Sequence, residues 1–187
     1  MRIVAGTHRG RPLKAPPGNA VRPTADRVRE ALFSMLQSGR YGGDRVTGVR
    51  VLDACAGSGA LGLEALSRSA AHCTFMDNAA TAIATIEANV AATGLATRAR
   101  ILRADVTRPP SAPEGCGLVL LDPPYREGLV PAALAALAAA GWLAPGALVA
   151  VEHAARDPIA FPEGFAEETS RTYGRTCVTL LRFSRAA

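Results

Sequence analysis

Val51-Leu52-Asp53-Ala54-Cys55-Ala56-Gly57-Ser58-Gly59-Ala60-Leu61-Gly62 decides the fold of this chain. An apolar run (residues 49–53) closes on an acid, passes through a glycine-rich turn and enters a helix-forming segment (60–67). That order reads as strand, tight turn and helix. Outward from it the alternation continues. Residues 72–77 read as a strand, 79–92 as a helix with Asn78 at its start and Gly94 past its end, and 100–103 and 118–121 as strands. Residues 130–140 read as a helix closed by Gly141, and 147–152 as a further strand. Such alternation predicts a mostly parallel sheet with helices on both faces and right-handed crossovers. After residue 165 two strand-like stretches, 167–173 and 176–183, meet at Gly174-Arg175 and predict an antiparallel hairpin that finishes the sheet.

Before the sheet the pattern differs. Residues 2–14 read as a short basic hairpin turning around Gly6–Gly10, and Pro16-Pro17-Gly18-Asn19 breaks into a loop. Thr24 is placed to cap a helix in which Val28, Ala31, Leu32, Met35 and Leu36 recur at helical spacing, with Arg27 and Glu30 on the wet face. The expected organisation is a basic hairpin and helix over residues 1–40, followed by one domain over 41–187. Residues 1–40 hold eight Lys/Arg against Asp26 and Glu30, while the rest of the chain is close to neutral, so the net charge of +5 comes from its first fifth. A segment of this kind suits a polyanion, and Arg9, Arg11, Lys14 and Arg22 are its candidate phosphate contacts. The bland alternative is a solvated basic face.

A hydrophobic fraction of 49% with 20% charged residues is that of a globular chain. No apolar run approaches the roughly 20 residues that span a bilayer, and the start is too polar for a signal peptide, so the expectation is a cytoplasmic monomer without membrane contact. Cys55, Cys73, Cys116 and Cys177 are widely spaced and read as reduced, packed thiols, with no metal site. His8, His72 and His153 show no partner pattern.

Gly57 and Gly59 lie where open parallel sheets bind ligands, beyond the strand ends, and they let the backbone approach closely. Read literally, Gly57-Ser58-Gly59-Ala60-Leu61-Gly62 matches the dinucleotide fingerprint. Asp53 argues against that reading, because a carboxylate there repels a pyrophosphate but suits a cofactor carrying a sulfonium and an ammonium. Asp77, at the next strand end, suits a ribose diol, and Asp105 suits either an adenine amino group or a loop cap. Further along, Asp122-Pro123-Pro124-Tyr125 ends a strand. The Asp122 carboxylate and Pro123 carbonyl can accept from the hydrogens of a base's exocyclic amine, localising its lone pair. The prolines stiffen the loop, and Tyr125 offers a face for an unstacked base.

These motifs resemble those of class I S-adenosylmethionine-dependent methyltransferases acting on base amino groups, with a Rossmann-like sheet. The resemblance narrows to the RsmD family of bacterial 16S rRNA guanine-N2 methyltransferases. It rests on Arg2-Ile3-Val4-Ala5-Gly6 with Arg9-Gly10-Arg11, on the stretch from Arg22-Pro23-Thr24 to Ala31-Leu32-Phe33, on Val51 through Arg68, on Leu121 through Tyr125, and on Tyr173-Gly174. It implies a seven-stranded sheet, S-adenosyl-L-methionine as donor, and N2 of one guanine of 16S rRNA in a 30S subunit or assembly intermediate as acceptor. It places Asp53, Gly57, Gly59 and Asp77 at the cofactor, with Thr24 and an arginine of the early helix (Arg22 or Arg27) at its amino-acid end, and Asp122 and Tyr125 at the guanine. An N6-adenine methyltransferase of DNA or RNA uses the same loop chemistry and stays open. An NAD-binding module or an inactive RNA-binding protein fits Asp53 and the Asp-Pro-Pro-Tyr loop poorly.

Overall fold

The computed structural model describes residues 1–16, 24–124, 128–156 and 159–184, with the backbone alone at Thr24 and Ala25. Helix α1 (Thr24–Gln37) precedes a regular alternation: β1 (Arg50–Ala54), α2 (Ala60–Ser67), β2 (His72–Asp77), α3 (Ala80–Thr93), β3 (Ala99–Arg103), β4 (Cys116–Leu121), α4 (Leu129–Ala139) and β5 (Leu143–Ala154). The chain closes with β6 (Phe165–Tyr173) and β7 (Thr176–Phe183). The seven strands form one sheet in the order β3-β2-β1-β4-β5-β7-β6. The first five run parallel, and β7 inserts antiparallel between β5 and β6. This is the mixed sheet that the alternation predicted.

Strands buried on both faces show as near-continuous apolar runs. Val51, Cys73, Phe75, Leu118 and Leu120 face one cluster with α1, α2 and α3, while Leu52, Met76, Val119 and Leu121 face the other with α4 and Trp142. Trp142 keeps its indole N–H satisfied by donating to the Pro110 carbonyl at 2.9 Å. The basic hairpin is present: Ile3 N–H donates to Arg11 O at 3.0 Å, and Leu13 N–H to Met1 O at 3.0 Å. Ile3 and Leu13 are buried in the same cluster as Leu63 and Phe75, so the hairpin covers the outer side of α2.

Three local expectations need correction. Asn78 does not cap α3; the flanking residue is Ala79, with no side-chain cap, and the Asp77 carboxylate accepts from the Ala79 N–H instead. Strand β5 begins at Leu143, four residues before its expected start, because Leu143 pairs with Cys116 across a register shift that the Pro145-Gly146 pair conceals in sequence. A short 3-10 turn, Ala96–Arg98, was not foreseen.

Helix α2 is buried on nearly every side, and Gly62 lets it lie directly on β2. A Cβ there would meet the Phe75 ring and come within 2.6 Å of Cys73 Sγ. Gly62→Ala is therefore expected to cost about 1–3 kcal/mol by overpacking, read as a lower urea midpoint with an unchanged m-value.

Candidate active site

β1 is flanked by β2 on one side and β4 on the other, so the strand order reverses at β1. Ligand crevices in open parallel sheets form at such a point, beyond the strand C-termini. Ala54 pairs with Leu121, so the turn after β1 and the loop after β4 leave the sheet side by side, about 4.8 Å apart in the pairing direction. A cavity of about 960 Å³ opens there, walled by both loops, by Asp77 and Asp105, and by residues of α1 and the hairpin.

Asp53, Gly57, Gly59, Asp77 and Asp105 each have a definite place. Asp53 is 1% exposed, and its Oδ2 accepts from the Gly62 N–H at 2.8 Å, which satisfies one of the free donors in the first turn of α2. Burial pushes its carboxyl well above the usual range, and the neighbouring Asp122 and Asp77 push it further against the lowering effect of the Gly62 bond. Asp77 accepts from Gly57 N–H and Ala79 N–H, both at 2.9 Å, and so fixes the glycine turn to the start of α3. Each of its oxygens retains a second lone pair for a ligand. Gly57 and Gly59 both have positive φ, 56° and 75°. A Cβ on Gly59 would press on Phe75 and Ile86 at 3.3–3.4 Å, whereas one on Gly57 would meet only the Cys55 carbonyl oxygen, at 4.0 Å. Asp105 is exposed and caps its own loop: Oδ1 accepts from Thr107 N–H and Oγ1, both at 2.8 Å, and these bonds hold its pKa low. It still lines the cavity.

Cys55 reports the field inside this crevice. It adopts a left-handed φ of 60°, and its thiol is pushed up to about 12 by burial and then by Asp77, Asp122, Asp53 and Asp105. Such a thiol is no nucleophile at neutral pH. Asp53, Asp77, Asp105 and Asp122 all line the cavity, and an acidic lining of this kind disfavours a pyrophosphate and suits a cation. The donor set thus fits S-adenosylmethionine.

At the acceptor loop, Pro123 is buried while Asp122 and Pro124 are exposed toward the cavity they line. Tyr125 and Arg22 lie outside the described residues, and the side chain of Thr24 does too. Arg27 is exposed on the wet face of α1 and does not line the cavity; the arginine of α1 that does is Arg29, only 4% exposed. Arg29 Nη2 donates to Asp26 at 2.7 Å and to Arg2 O at 2.6 Å, and its Nε lies 3.6 Å from the buried Glu64. Sequence reasoning also missed Glu64 and Asn89. Asn89 Nδ2 donates to Ser58 O and Lys14 O, both at 2.9 Å, tying the glycine turn to the hairpin. An Asn among the helix-spaced Ile86, Val90 and Thr93 was the available signal.

The hairpin runs along α2 with its tip away from the cavity. Thr7 N–H donates to the carbonyl of Ser67, the last residue of α2, and Arg11 donates to Ala92 O near the end of α3. Arg9 and Arg11 are exposed there, a helix length of about 12 Å from the crevice, whereas Lys14 adjoins the cavity-lining Ala15.

A family model described as conserved hypothetical protein 95 matches residues 1–182. The Escherichia coli K12 ribosomal RNA small subunit methyltransferase D is 40% identical over 154 residues, covering 81% of this chain and 74% of that protein. The chain belongs to the RsmD family. The solved structure of yhhF from Escherichia coli superposes with a TM-score of 0.82 at 33% identity, over 100% of this chain and 99% of that one. The N-methyltransferase NodS of Bradyrhizobium japonicum, solved with S-adenosyl-L-homocysteine, shares the fold at a TM-score of 0.64 and 17% identity, over 88% and 89% of the two chains. RsmD membership and this sheet order identify a class I methyltransferase.

Proposed function

We propose that this protein is an S-adenosylmethionine-dependent rRNA methyltransferase whose acceptor is the N2 amino group of one guanine, guanine 966 of 16S rRNA, presented by the 30S subunit or an assembly intermediate. One observation carries the reading: the glycine turn and the Asp122 loop leave adjacent strands at the switch point, so donor and acceptor pockets share a wall. The names of the relatives support rRNA as the polymer, and the basic N-terminal segment supports a polyanion.

When bound, S-adenosylmethionine supplies an electrophilic methyl group on a cationic sulfur. The chain's own residues do the rest by placement. Asp77 and the glycine turn hold the nucleoside end, and the carboxylates around Cys55 favour the positive charge. Asp122 and the Pro123 carbonyl accept from the guanine amine, turning its lone pair toward the donor. Tyr125 stacks on the extruded base. Because the amine can lose its proton after the new bond forms, alignment does the work that a general base does elsewhere.

The test supplies labelled S-adenosylmethionine to 30S particles lacking the modification and analyses the nucleosides by mass spectrometry. The expected product is N2-methylguanosine. N6-methyladenosine would replace the acceptor while keeping fold and donor.

A further inference from the structure

Beyond the acceptor loop, three strands continue. β4 stops at Leu121, which pairs with Val151, but β5 runs on through Glu152, His153 and Ala154. These pair with Val178, Cys177 and Thr176 of β7, which pair in turn with Arg171, Thr172 and Tyr173 of β6. Three residues of strand make an overhang of about 10 Å beside the Asp122 loop. The overhang forms a wall of the crevice, since Glu152 lines the cavity. Its two turns are tied together where Ala155 N–H donates to Arg175 O at 3.0 Å.

We propose that this overhang is a second RNA-contacting surface, with Arg156 and Arg175 gripping backbone phosphates beside the target nucleotide. The proposal rests on the rRNA reading and adds where the polymer is held. Arg156 and Arg175 are exposed on the adjoining turns, and Arg171 is exposed two residues before the end of β6. Among the described residues none of the three makes an ion pair, whereas lower on the same strands Arg182 is neutralised by Glu168 at 2.7 Å. Among the described residues, cationic side chains without an ion pair thus collect at the end of the hairpin that rises past the acceptor loop. The N-terminal hairpin does not duplicate this role, because Arg9 and Arg11 sit a helix length below the crevice on the α2–α3 side. A base drawn into the crevice leaves its flanking phosphates outside it, and the overhang borders the crevice on the β5 side.

The experiment measures binding of a 16S rRNA fragment over a salt series for the wild type, Arg175→Glu, Arg156→Glu with Arg175→Glu, and Arg100→Glu. Arg100 is exposed on β3 at the opposite edge of the sheet, so its reversal removes the same charge from the molecule's general field. The double overhang variant is expected to bind at least about tenfold more weakly at 0.1 M-range salt, with the log–log slope reduced by about 1.4–1.8 for two lost phosphates. Affinity for S-adenosylmethionine is expected to stay at the wild-type value, which also shows the variants are folded. Replacing both residues with lysine is expected to restore binding, because a phosphate contact needs the charge alone. Equal losses for Arg175→Glu and Arg100→Glu, or an unchanged slope in the double variant, would overturn the proposal. In that event N2-methylguanosine formation by the wild type would leave the rRNA reading standing; a wild type with no salt-dependent rRNA binding would overturn both.

Discussion

Asp122→Ala is expected to lower kcat for methyl transfer by about 100-fold or more while leaving affinity for S-adenosylmethionine nearly intact. The split follows from where Asp122 sits. It is one residue past Leu121 and exposed at the crevice, while backbone bonds to two other carboxylates fix the glycine turn. Those bonds belong to Asp53 and Asp77 and survive the substitution. What disappears is an acceptor for the substrate amine, so its lone pair stays delocalised in the ring and its approach is no longer oriented. Asp122→Asn keeps an oxygen acceptor and is expected to retain part of the activity. The electrostatics provide a separate check that the crevice remains built. Asp122 is one of the charges holding the Cys55 thiol near 12 and the Asp53 carboxyl high, so its removal lowers both. A thiol-alkylation profile against pH, followed at Cys55 by peptide mass spectrometry, reads the first. Wild-type turnover in Asp122→Ala would remove the acceptor assignment.

How much of this was legible in the sequence depended on how local each signal was. Residues 60–67 and 72–77 were expected as helix and strand and occur with those bounds, because a glycine turn and an acid at a strand end are written in consecutive residues. The pairing of the Asp53 turn with the Asp122 loop was also readable, since both follow strands of one parallel sheet. The early start of β5 was not, because its first residues pair across an irregularity that only the neighbouring strand specifies. Asn78 looked like a cap by residue type, yet the carboxylate one residue earlier took the bond. Arg29 and Glu64 were the least legible. Helical spacing points Val28, Leu32 and Leu36 inward, and charged residues beside such a stripe read as solvated. Both are buried only because the hairpin folds across α2, a contact between residues about sixty positions apart.

That contact yields the second large expected effect. Glu64 is fully buried and is the hub of a network spanning three segments: it accepts from Val4 N–H at 2.7 Å, Ala5 N–H at 3.0 Å and Arg68 Nε at 2.8 Å, with Arg29 Nε at 3.6 Å. The sole buried side-chain nitrogen without a hydrogen bond among the described residues is that Arg29 Nε, so the ion pair is its only compensation. Glu64→Ala takes the acceptor from two backbone donors and from the Nε groups of Arg29 and Arg68 at once. Breaking a buried pair from one side costs about 3–5 kcal/mol, a large share of a typical domain's stability. For a chain of this size the melting temperature is expected to fall by roughly 6–20 °C. Glu64→Gln keeps an oxygen for the backbone donors and is expected to fall between the two. The loss has a functional shadow as well, because the residues flanking the hairpin that Glu64 pins, Met1 before it and Ala15 and Pro16 after it, line the cavity wall. Below its melting point the Glu64→Gln variant is therefore expected to show a raised KM for S-adenosylmethionine with kcat largely kept, the reverse of the Asp122→Ala pattern. An unchanged melting temperature would mean that the hairpin is held by the burial of Ile3 and Leu13 and by its bonds to Ser67, Asn89 and Ala92, and that the buried charges contribute nothing net.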